Sequence, residues 1–563
     1  MADFVPSKYQ QAIFEFIQNG KGHGLINAVA GSGKTTTIVK ALKFITHILR
    51  VIFLAFNRSI AVELATRVPA NVQASTLNSF GWSICQKNAG QRVNLDKDKT
   101  AKILQHRVLN MADKRQKEIY YSVRGPIRRL ISLAKANMLY EPTQDQWVAL
   151  ADKFQIDLGD RKNMENVLSL VDQTYAMVKN DTATMDFDDQ LFMPVYKNWP
   201  VPAHGFIFVD ECQDLNPCQV ELVLRASKTG RVVCVGDPNQ SIYGFRGADS
   251  EAVPNLIKAL NAKQLFLSVC YRCSLAVIEE AKVLVPRIEA APGAPKGSVN
   301  NALVSEMLKM AKPGDFILCR TTAPLVITCF KFLRAGTKAF VKGRDIGANI
   351  IALLEKLAKK AKTQDAIELT EIITHHRDVS VANLMAAEKD DEAIMVQDQC
   401  DTLLVFLEDA KTVAEVKVKI ESMFTDEENG ICLSTVHKAK GLEAERVFIL
   451  RPELMPHPCA KTPWAIEQEN NIKYVAITRA KLDLYWVNED AQVPGDGAKK
   501  TEAPVAPVVP ATPATLLSAK NPDFGLTATP FRDKSEPVKQ PAAKPKKRGG
   551  FVRNTGDIGF RRV

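Results

Sequence analysis

GLINAVAGSGKTTTIVKALKFI, residues 24–45, reads in three parts. GLINAV is a short apolar run, Gly31 and Gly33 lie in the loop that follows it, and IVKALKFI has helical spacing. Ala28 to Thr35 meets the pattern GxxxxGK[ST], except that Ala28 replaces the first glycine. Gly31 and Gly33 let backbone amides curl around phosphate oxygens at the positive end of a helix. Lys34 then reaches the terminal phosphates, and Thr35 ligates Mg²⁺. A chance glycine turn is the plain alternative. It is weak, because strand and helix both sit where a phosphate loop needs them.

Runs of the same kind recur along the chain. GLINAV, VIFLAF, GFIFVDE and RVVCVGD form one group, and FLSV, DFILCR, GICLST and RVFIL form a second. Strand-like runs alternating with helical patterns predict a parallel sheet covered by helices, and two groups predict two α/β cores. Each core is interrupted by a long, charge-rich segment of helical periodicity, roughly residues 85–181 and 349–428. A chain of 563 residues is too long for one core, and 46% hydrophobic with 24% charged residues is ordinary globular composition.

No apolar run approaches a membrane span, and MADFVPSKYQ has no apolar h-region. Eleven cysteines are too sparse for a disulfide framework, so a reducing cytoplasm is expected. The one CxxC, Cys270 to Cys273, lacks a second ligand pair for zinc. From residue 491 the composition turns to Pro, Ala and Lys, with 10 of the 29 prolines. There 13 Lys/Arg face 6 Asp/Glu, so +7 of the chain's +11 lies in this segment. It reads as a disordered basic tail. The charge is compatible with a nucleic-acid partner without establishing one.

FIFVDECQD supplies the complement to the phosphate loop. Asp210 and Glu211 end a hydrophobic strand, so they project at the carboxyl edge of the sheet, where ligands of α/β folds bind. One carboxylate holds Mg²⁺ while its neighbour orients or deprotonates the attacking water. Together with the phosphate loop, the pair predicts an ATP-hydrolysing site. VGDPNQSIYGFRG, Val235–Gly247, then joins a strand end and a glutamine to two aromatics spaced two apart. The first two features suit a phosphate cleft, and the aromatics suit a stacking surface.

In order along the chain, these stretches resemble the UvrD/Rep/PcrA helicases of superfamily 1, from about residue 6 to 487. The resemblance implies α/β architecture with two RecA-like parallel-sheet cores, each with a helical insertion. The first core would be 1–84 and 182–258 with insertion 85–181, and the second 259–348 and 429–490 with insertion 349–428; the tail is 491–563. It also implies an ATP-dependent DNA helicase using ATP and Mg²⁺, moving 3′ to 5′ on single-stranded DNA and acting at single-strand/duplex junctions, as a monomer.

PSKYQ resembles the adenine-reading motif, with Gln10 on the base. Ala30, Gly31, Ser32, Gly33, Lys34, Thr35 and Thr36 would cradle the nucleotide, with Thr35 and Asp210 on the metal. CYRCS implies Tyr271 stacked on adenine and Arg272 on the γ-phosphate, and YVAITRAK implies Arg479 as arginine finger. STVHKAKGLE implies Glu443 on the ribose, with Thr435 and His437 toward DNA. LAFNRS and STLNSF imply DNA contacts through Phe56 and Thr76. In the loop at Val235, Gln240 would sense the γ-phosphate or its water, while Tyr243 and Phe245, with Arg246, would hold bases. Base–aromatic stacking is worth ~1–3 kcal/mol per base.

Two departures stand out. Asn78 occupies a position where the family usually has histidine, and the second insertion, about 80 residues, is shorter than the family's. The short insertion brings in a translocase that strips bound proteins with little unwinding. The tail brings in an ATP-gated DNA-binding switch or loader acting through partners. MDFDDQ, with Asp186, Asp188 and Asp189, reads as the return into the first core rather than a metal-binding nuclease cluster. His375-His376, Lys359, Lys360 and Lys362 read as surface, and KPKKRGG as a solubility tail or a DNA or partner contact.

Overall fold

Gly24–Ala28 (β1), Val51–Ala55 (β2), Phe206–Val209 (β4) and Arg231–Gly236 (β5) are almost wholly apolar because helices cover both faces of their sheet. With Val72–Thr76 (β3) and Lys263–Leu267 (β6), they form a six-stranded parallel sheet in the order β3-β2-β4-β5-β1-β6. The computed structural model describes residues 4–45, 49–55, 57–111, 113–154, 156–159, 161–228, 230–242, 252–386, 390–408, 410–425 and 430–490. A second parallel sheet has seven strands: Ser298–Leu303 (β7), Phe316–Cys319 (β8), Ala339–Lys342 (β9), Phe424–Thr425 (β10), Ile431–Thr435 (β11), Ala444–Leu450 (β12) and Ala480–Asn488 (β13). Their order is β7-β13-β12-β8-β11-β9-β10. Both sheets belong to one compact unit, and no helix among the described residues is long and apolar enough to cross a membrane.

The FLSV run corrects the grouping of strands. It was expected in the second core, and residues from 259 onward were assigned there. Lys263–Leu267 instead pairs with β1 over its whole length, as the edge of the first sheet, and Val269–Cys270 pairs with Glu289–Ala290. Lys263, Gln264 and Phe266 are exposed while Leu265 and Leu267 are buried. An edge strand with one open face has this alternation, and it covers the flank of β1, which is buried throughout.

Between β3 and β4 lie helices Lys99–Leu109, Lys114–Ala136, Gln144–Lys153 and Met164–Asn180, packed around Trp147 and Tyr175. Between β9 and β10 lie four more, Arg344–Ala361, Ala366–Ala386, Asp390–Leu407 and Val413–Met423. The acidic MDFDDQ segment closes the first group through a buried ion network. Lys99 Nζ lies 2.7 Å from Asp189 Oδ2, and Lys135 Nζ lies 2.8 Å from Asp186 Oδ2 and 2.9 Å from Asp189 Oδ1. Ser132 Oγ donates to Asp188 Oδ2 at 2.6 Å. These carboxylates are spent on ammonium and hydroxyl groups, and no cluster of metal-ligating side chains occurs among the described residues. Lys359, Lys360 and Lys362 are exposed on their helix.

Candidate active site

Residues expected to act on the nucleotide gather where the first sheet's strands end. β1 runs into the loop Val29–Gly33, β4 into Asp210 and Glu211, and β5 into Asp237 and Gln240. Gly31 and Gly33 have φ of 64° and 72°, the left-handed region that glycine adopts without strain. Gly31 is needed for a second reason. A Cβ there would fall 2.6 Å from Arg272 Cβ and 2.9 Å from Cys270 Sγ, so the CYRC segment backs directly onto the loop. Both thiols of that CxxC are buried. Gly33 caps the helix Lys34–Ala41, which aims its first free amides into the loop. Ser32 Oγ is buried with no hydrogen-bond partner, an orphan that a phosphate oxygen or its hydration would satisfy.

Lys34 Nζ reaches Glu211 Oε1 at 2.7 Å. Burial opposes its charge, but Glu211, Asp210 and Asp237 outweigh that and hold its pKa above the usual lysine range. Thr35 Oγ1 approaches Asp210 Oδ2 at 3.4 Å, a hydroxyl beside a carboxylate as hard divalent cations prefer. Burial, reinforced by the charge of Glu211, pushes Asp210 up to about 6. Burial pushes Glu211 up as well, but Lys34 and Lys440 win and bring it down to about 2. With Lys34 paired to Glu211 the order is the reverse of what a metal ligand at Asp210 and a base at Glu211 would need, and transfer of Lys34 to a phosphate would raise Glu211. Glu211 has φ of 51°, left-handed for a non-glycine residue. Such strain at a site carries a cost of order 1–3 kcal/mol, held by the surrounding structure.

Gln240 is buried, and its Nε2 donates to Asp237 Oδ2 at 2.7 Å, so its amide is turned onto that carboxylate. Gln213, which no sequence argument had singled out, ties the cluster together. Its Nε2 donates to Glu211 Oε2 at 2.6 Å, and its Oε1 accepts from the Asp237 amide at 3.1 Å. Lys440 enters from beyond β11, donating to Asp214 Oδ2 at 2.6 Å and to the Gln240 carbonyl at 2.7 Å.

The remaining expected nucleotide contacts stand around the same loop. Gln10 is buried; its Nε2 donates to Thr37 Oγ1 at 3.0 Å, and its Oε1 accepts from the Ser7 amide in a helix-capping box. Tyr271 is 47% exposed, and its hydroxyl points to Gln10 Oε1 at 3.5 Å. Arg272 Nε and Glu443 Oε2 lie 2.6 Å apart, so two groups expected at opposite ends of a nucleotide are paired with each other here. Lys481 also lies 3.1 Å from Glu443.

Arg479 is 1% exposed and donates only to neutral acceptors: the Val475 carbonyl at 2.9 Å, the Leu442 carbonyl at 3.1 Å and Thr478 Oγ1 at 3.2 Å. No carboxylate pairs with it among the described residues. Burial and the nearby Arg272 pull its pKa down to about 10. Thr36 lies within the helix that follows the loop, its hydroxyl 3.4 Å from Arg67.

The expected DNA-facing residues are described in part. Thr76 caps the helix Leu77–Asn88, accepting from the Ser79 amide at 3.1 Å. Asn78 donates to the Phe187 carbonyl at 2.9 Å and to Gln190 Oε1 at 3.0 Å, so it anchors the MDFDDQ segment and leaves Phe187 exposed. Thr435 ends β11 and is 7% exposed, and His437 sits in the turn of helix that follows. Phe56, Tyr243, Phe245 and Arg246 lie outside the described residues.

The UvrD/REP helicase N-terminal domain matches residues 9–261, and the UvrD-like helicase C-terminal domain matches residues 430–487. The chain is 24% identical over 499 residues to F-box DNA helicase protein 1 of Schizosaccharomyces pombe, covering 82% of this chain and 55% of that protein. It is 25% identical over 615 residues to ATP-dependent DNA helicase PcrA of Staphylococcus epidermidis, covering 84% and 82%. With F-box DNA helicase 1 of Gallus gallus the identity is 24% over 501 residues, and the chain spans 46% of that protein.

Proposed function

This chain belongs to the UvrD/PcrA-like helicases of superfamily 1, and from that membership we propose that it is an ATP-driven motor on single-stranded DNA, stepping 3′ to 5′ and coupling hydrolysis to strand separation. Membership supports DNA helicase activity. The observation that carries it is the buried cation at position 479, bound only to neutral groups and linked through Thr478 to Arg272, which backs onto Gly31 of the phosphate loop. A buried guanidinium without a carboxylate is costly unless an anion completes it. The γ-phosphate of ATP is such an anion, and an arginine so placed contributes ~10³–10⁵ in turnover.

The cycle follows from exchange of partners. Lys34 leaves Glu211 for the phosphates, and Glu211, freed from its cation, takes the proton of the attacking water. Arg272 leaves Glu443 for the γ-phosphate, and Glu443 turns to the ribose. Thr35 and Asp210 would hold Mg²⁺, and the orphaned Ser32 hydroxyl and the hydroxyl–carboxylate pair fit a metal–nucleotide complex. When bound, Mg²⁺ neutralises charge on the β- and γ-phosphate oxygens. DNA would lie along Phe56, Thr76, Thr435 and His437, with Tyr243, Phe245 and Arg246 stacking on or pairing with it. Closure around ATP and release after hydrolysis would ratchet the strand.

One observation favours a second reading. The second insertion is four helices between residues 344 and 423, and a small insertion favours a translocase that strips bound proteins and separates little duplex. Strand displacement on 3′- and 5′-tailed duplexes, run beside displacement of a protein from single strands, tests both. Unwinding from the 3′ tail supports the helicase. Protein displacement without unwinding supports the translocase, and neither, with ATP hydrolysed, overturns the motor.

A further inference from the structure

Tyr474 is wholly buried, yet its hydroxyl accepts a hydrogen bond from the Ala30 amide of the phosphate loop at 2.9 Å. Ala30 belongs to the loop after β1, and Tyr474 to the helix Pro463–Ile477, which leads into β13 of the second sheet. The bond therefore crosses between the two sheets' elements, 444 residues apart in sequence. Val29 and Ala30 pack in one apolar cluster with Tyr474, Val475 and Ile278, so water is excluded around it.

The contact continues on the other side of the residue. The Tyr474 carbonyl accepts from Thr478 Oγ1 at 2.8 Å, and Thr478 Oγ1 in turn accepts from Arg479 NH2 at 3.2 Å. The Thr478 carbonyl accepts from Arg272 NH1 at 3.3 Å. Both arginines of the site thus hang from Thr478, Thr478 hangs from Tyr474, and Tyr474 is fixed to the phosphate loop.

We propose that Tyr474, acting through Thr478, is the positioning residue that sets Arg479 and Arg272 in register with the phosphate loop. The proposal rests on the ATP-hydrolysing reading of the site. It touches neither phosphate nor water; its work is to hold the arginines at the distance the loop dictates. A displacement of about 1 Å at a reacting centre can cost ~10²-fold in rate, so a lost anchor is felt in turnover before it is felt in binding.

The test is Tyr474→Phe, which keeps the ring and its packing and removes only the acceptor. Thr478→Val breaks the relay one link later, and Thr478→Ser is its conservative control. DNA-stimulated kcat should fall about 10- to 100-fold in Tyr474→Phe and Thr478→Val, with KM for ATP within threefold and Thr478→Ser near the parent. In Arg479→Ala the further change Tyr474→Phe should cost clearly less than it does in the parent, because only Arg272 is left to position. Full additivity of the two losses, or an unchanged kcat in Tyr474→Phe, overturns the proposal. A parent protein with no DNA-stimulated turnover removes the functional reading itself and this inference with it. A parent that turns over alongside an unchanged Tyr474→Phe removes the inference alone. Thermal melting separates a folding defect: Tyr474→Phe leaves the Ala30 amide without its partner, so some loss of Tm is expected, but Thr478→Val should lose kcat even where its Tm matches the parent.

Discussion

Replacing Glu211 by glutamine should abolish hydrolysis while ATP still binds. In the structure Glu211 Oε1 accepts from Lys34 at 2.7 Å and Oε2 accepts from Gln213 Nε2 at 2.6 Å. An amide offers one acceptor oxygen, so one of these donors must face an NH₂ group and go unmet, at ~1–3 kcal/mol. Lys34 keeps Asp210 and Asp237 as neighbours, so the fold should hold. Binding should be retained or tightened for two reasons. Lys34 loses the carboxylate that competes with phosphate, and Asp210 loses one of the two influences that raise it to about 6, so it is better ionised for Mg²⁺. The chemical step loses its base. General-base catalysis is worth ~10²–10⁴-fold, or about 3–5 kcal/mol of barrier. Steady-state ATPase at saturating single-stranded DNA reads the loss, and a fluorescent ATP analogue reads binding. Turnover within threefold of the parent would show that Glu211 is not the base. Loss of binding as severe as in Lys34→Ala would show that the carboxylate serves the loop's structure instead.

Three further outcomes are expected. Lys135→Met should leave Asp186 and Asp189 with less than their full complement of positive charge in the interior, lowering stability by about 3–5 kcal/mol in thermal or denaturant unfolding; an unchanged midpoint would contradict the buried network. Asp214 is pushed up to about 6 because burial outweighs the pull of Lys440, with Glu211 adding to the rise. A raised folded pKa gives stability that is full below the unfolded value near 4 and lost as pH climbs through 6. Relative to the parent, Asp214→Asn should therefore gain on the order of 3 kcal/mol between pH 4 and pH 7, and a difference in unfolding free energy independent of pH would refute this. Ending the chain after Asp490 keeps the contact of Asp490 with Ser305 Oγ at 2.6 Å, so DNA-stimulated ATPase should survive. If the tail meets phosphates, its removal should also flatten the salt dependence of DNA binding by roughly 0.7 in log–log slope per lost contact; a loss of ATPase would place essential structure beyond Asp490.

What could be read from the sequence was whatever carries its chemistry locally. The phosphate loop needs its glycines, lysine and threonine consecutively, so Gly31 to Thr35 announce themselves. Buried strands such as β2 and β4 are apolar on both faces and equally plain. The edges were harder. β3, β7 and β6 alternate or carry polar residues, and β6 was assigned to the wrong sheet because pairing partners are not written in a strand's own residues. Ion networks were harder still. Asp189 meets Lys99 across 90 residues, and Asp186 meets Lys135 across 51, so no spacing rule could have told a structural cluster from a metal site. Within the motifs, Tyr474, Thr478 and Lys440 were quoted without roles, since each owes its part to a partner on a distant element. Asn78 is a similar case: its amide is committed to the acidic segment, a structural duty that a comparison of motif letters does not reveal.

Lys440 stands where the two tasks of the proposed motor meet. It lies five residues beyond Thr435, the end of β11 and an expected DNA contact, and its ammonium holds the Gln240 carbonyl at 2.7 Å. Gln240 precedes the proposed stacking residues Tyr243 and Phe245 in the same loop. On the proposed function, a strand that drew β11's turn toward DNA would move Lys440, and with it the backbone that carries Gln240. The same ammonium also holds Asp214, which Gln213 joins at 3.3 Å while it donates to Glu211. Such a pull would reach both Gln240 and Glu211. Linkage then fixes the consequence. If DNA strengthens ATP binding by some factor, ATP strengthens DNA binding by the same factor, typically ~5–150-fold for a coupling of this kind. Hydrolysis withdraws the ligand that sustains that factor. In the proposed motor, grip on the strand would weaken as phosphate leaves, once per cycle, as stepping requires.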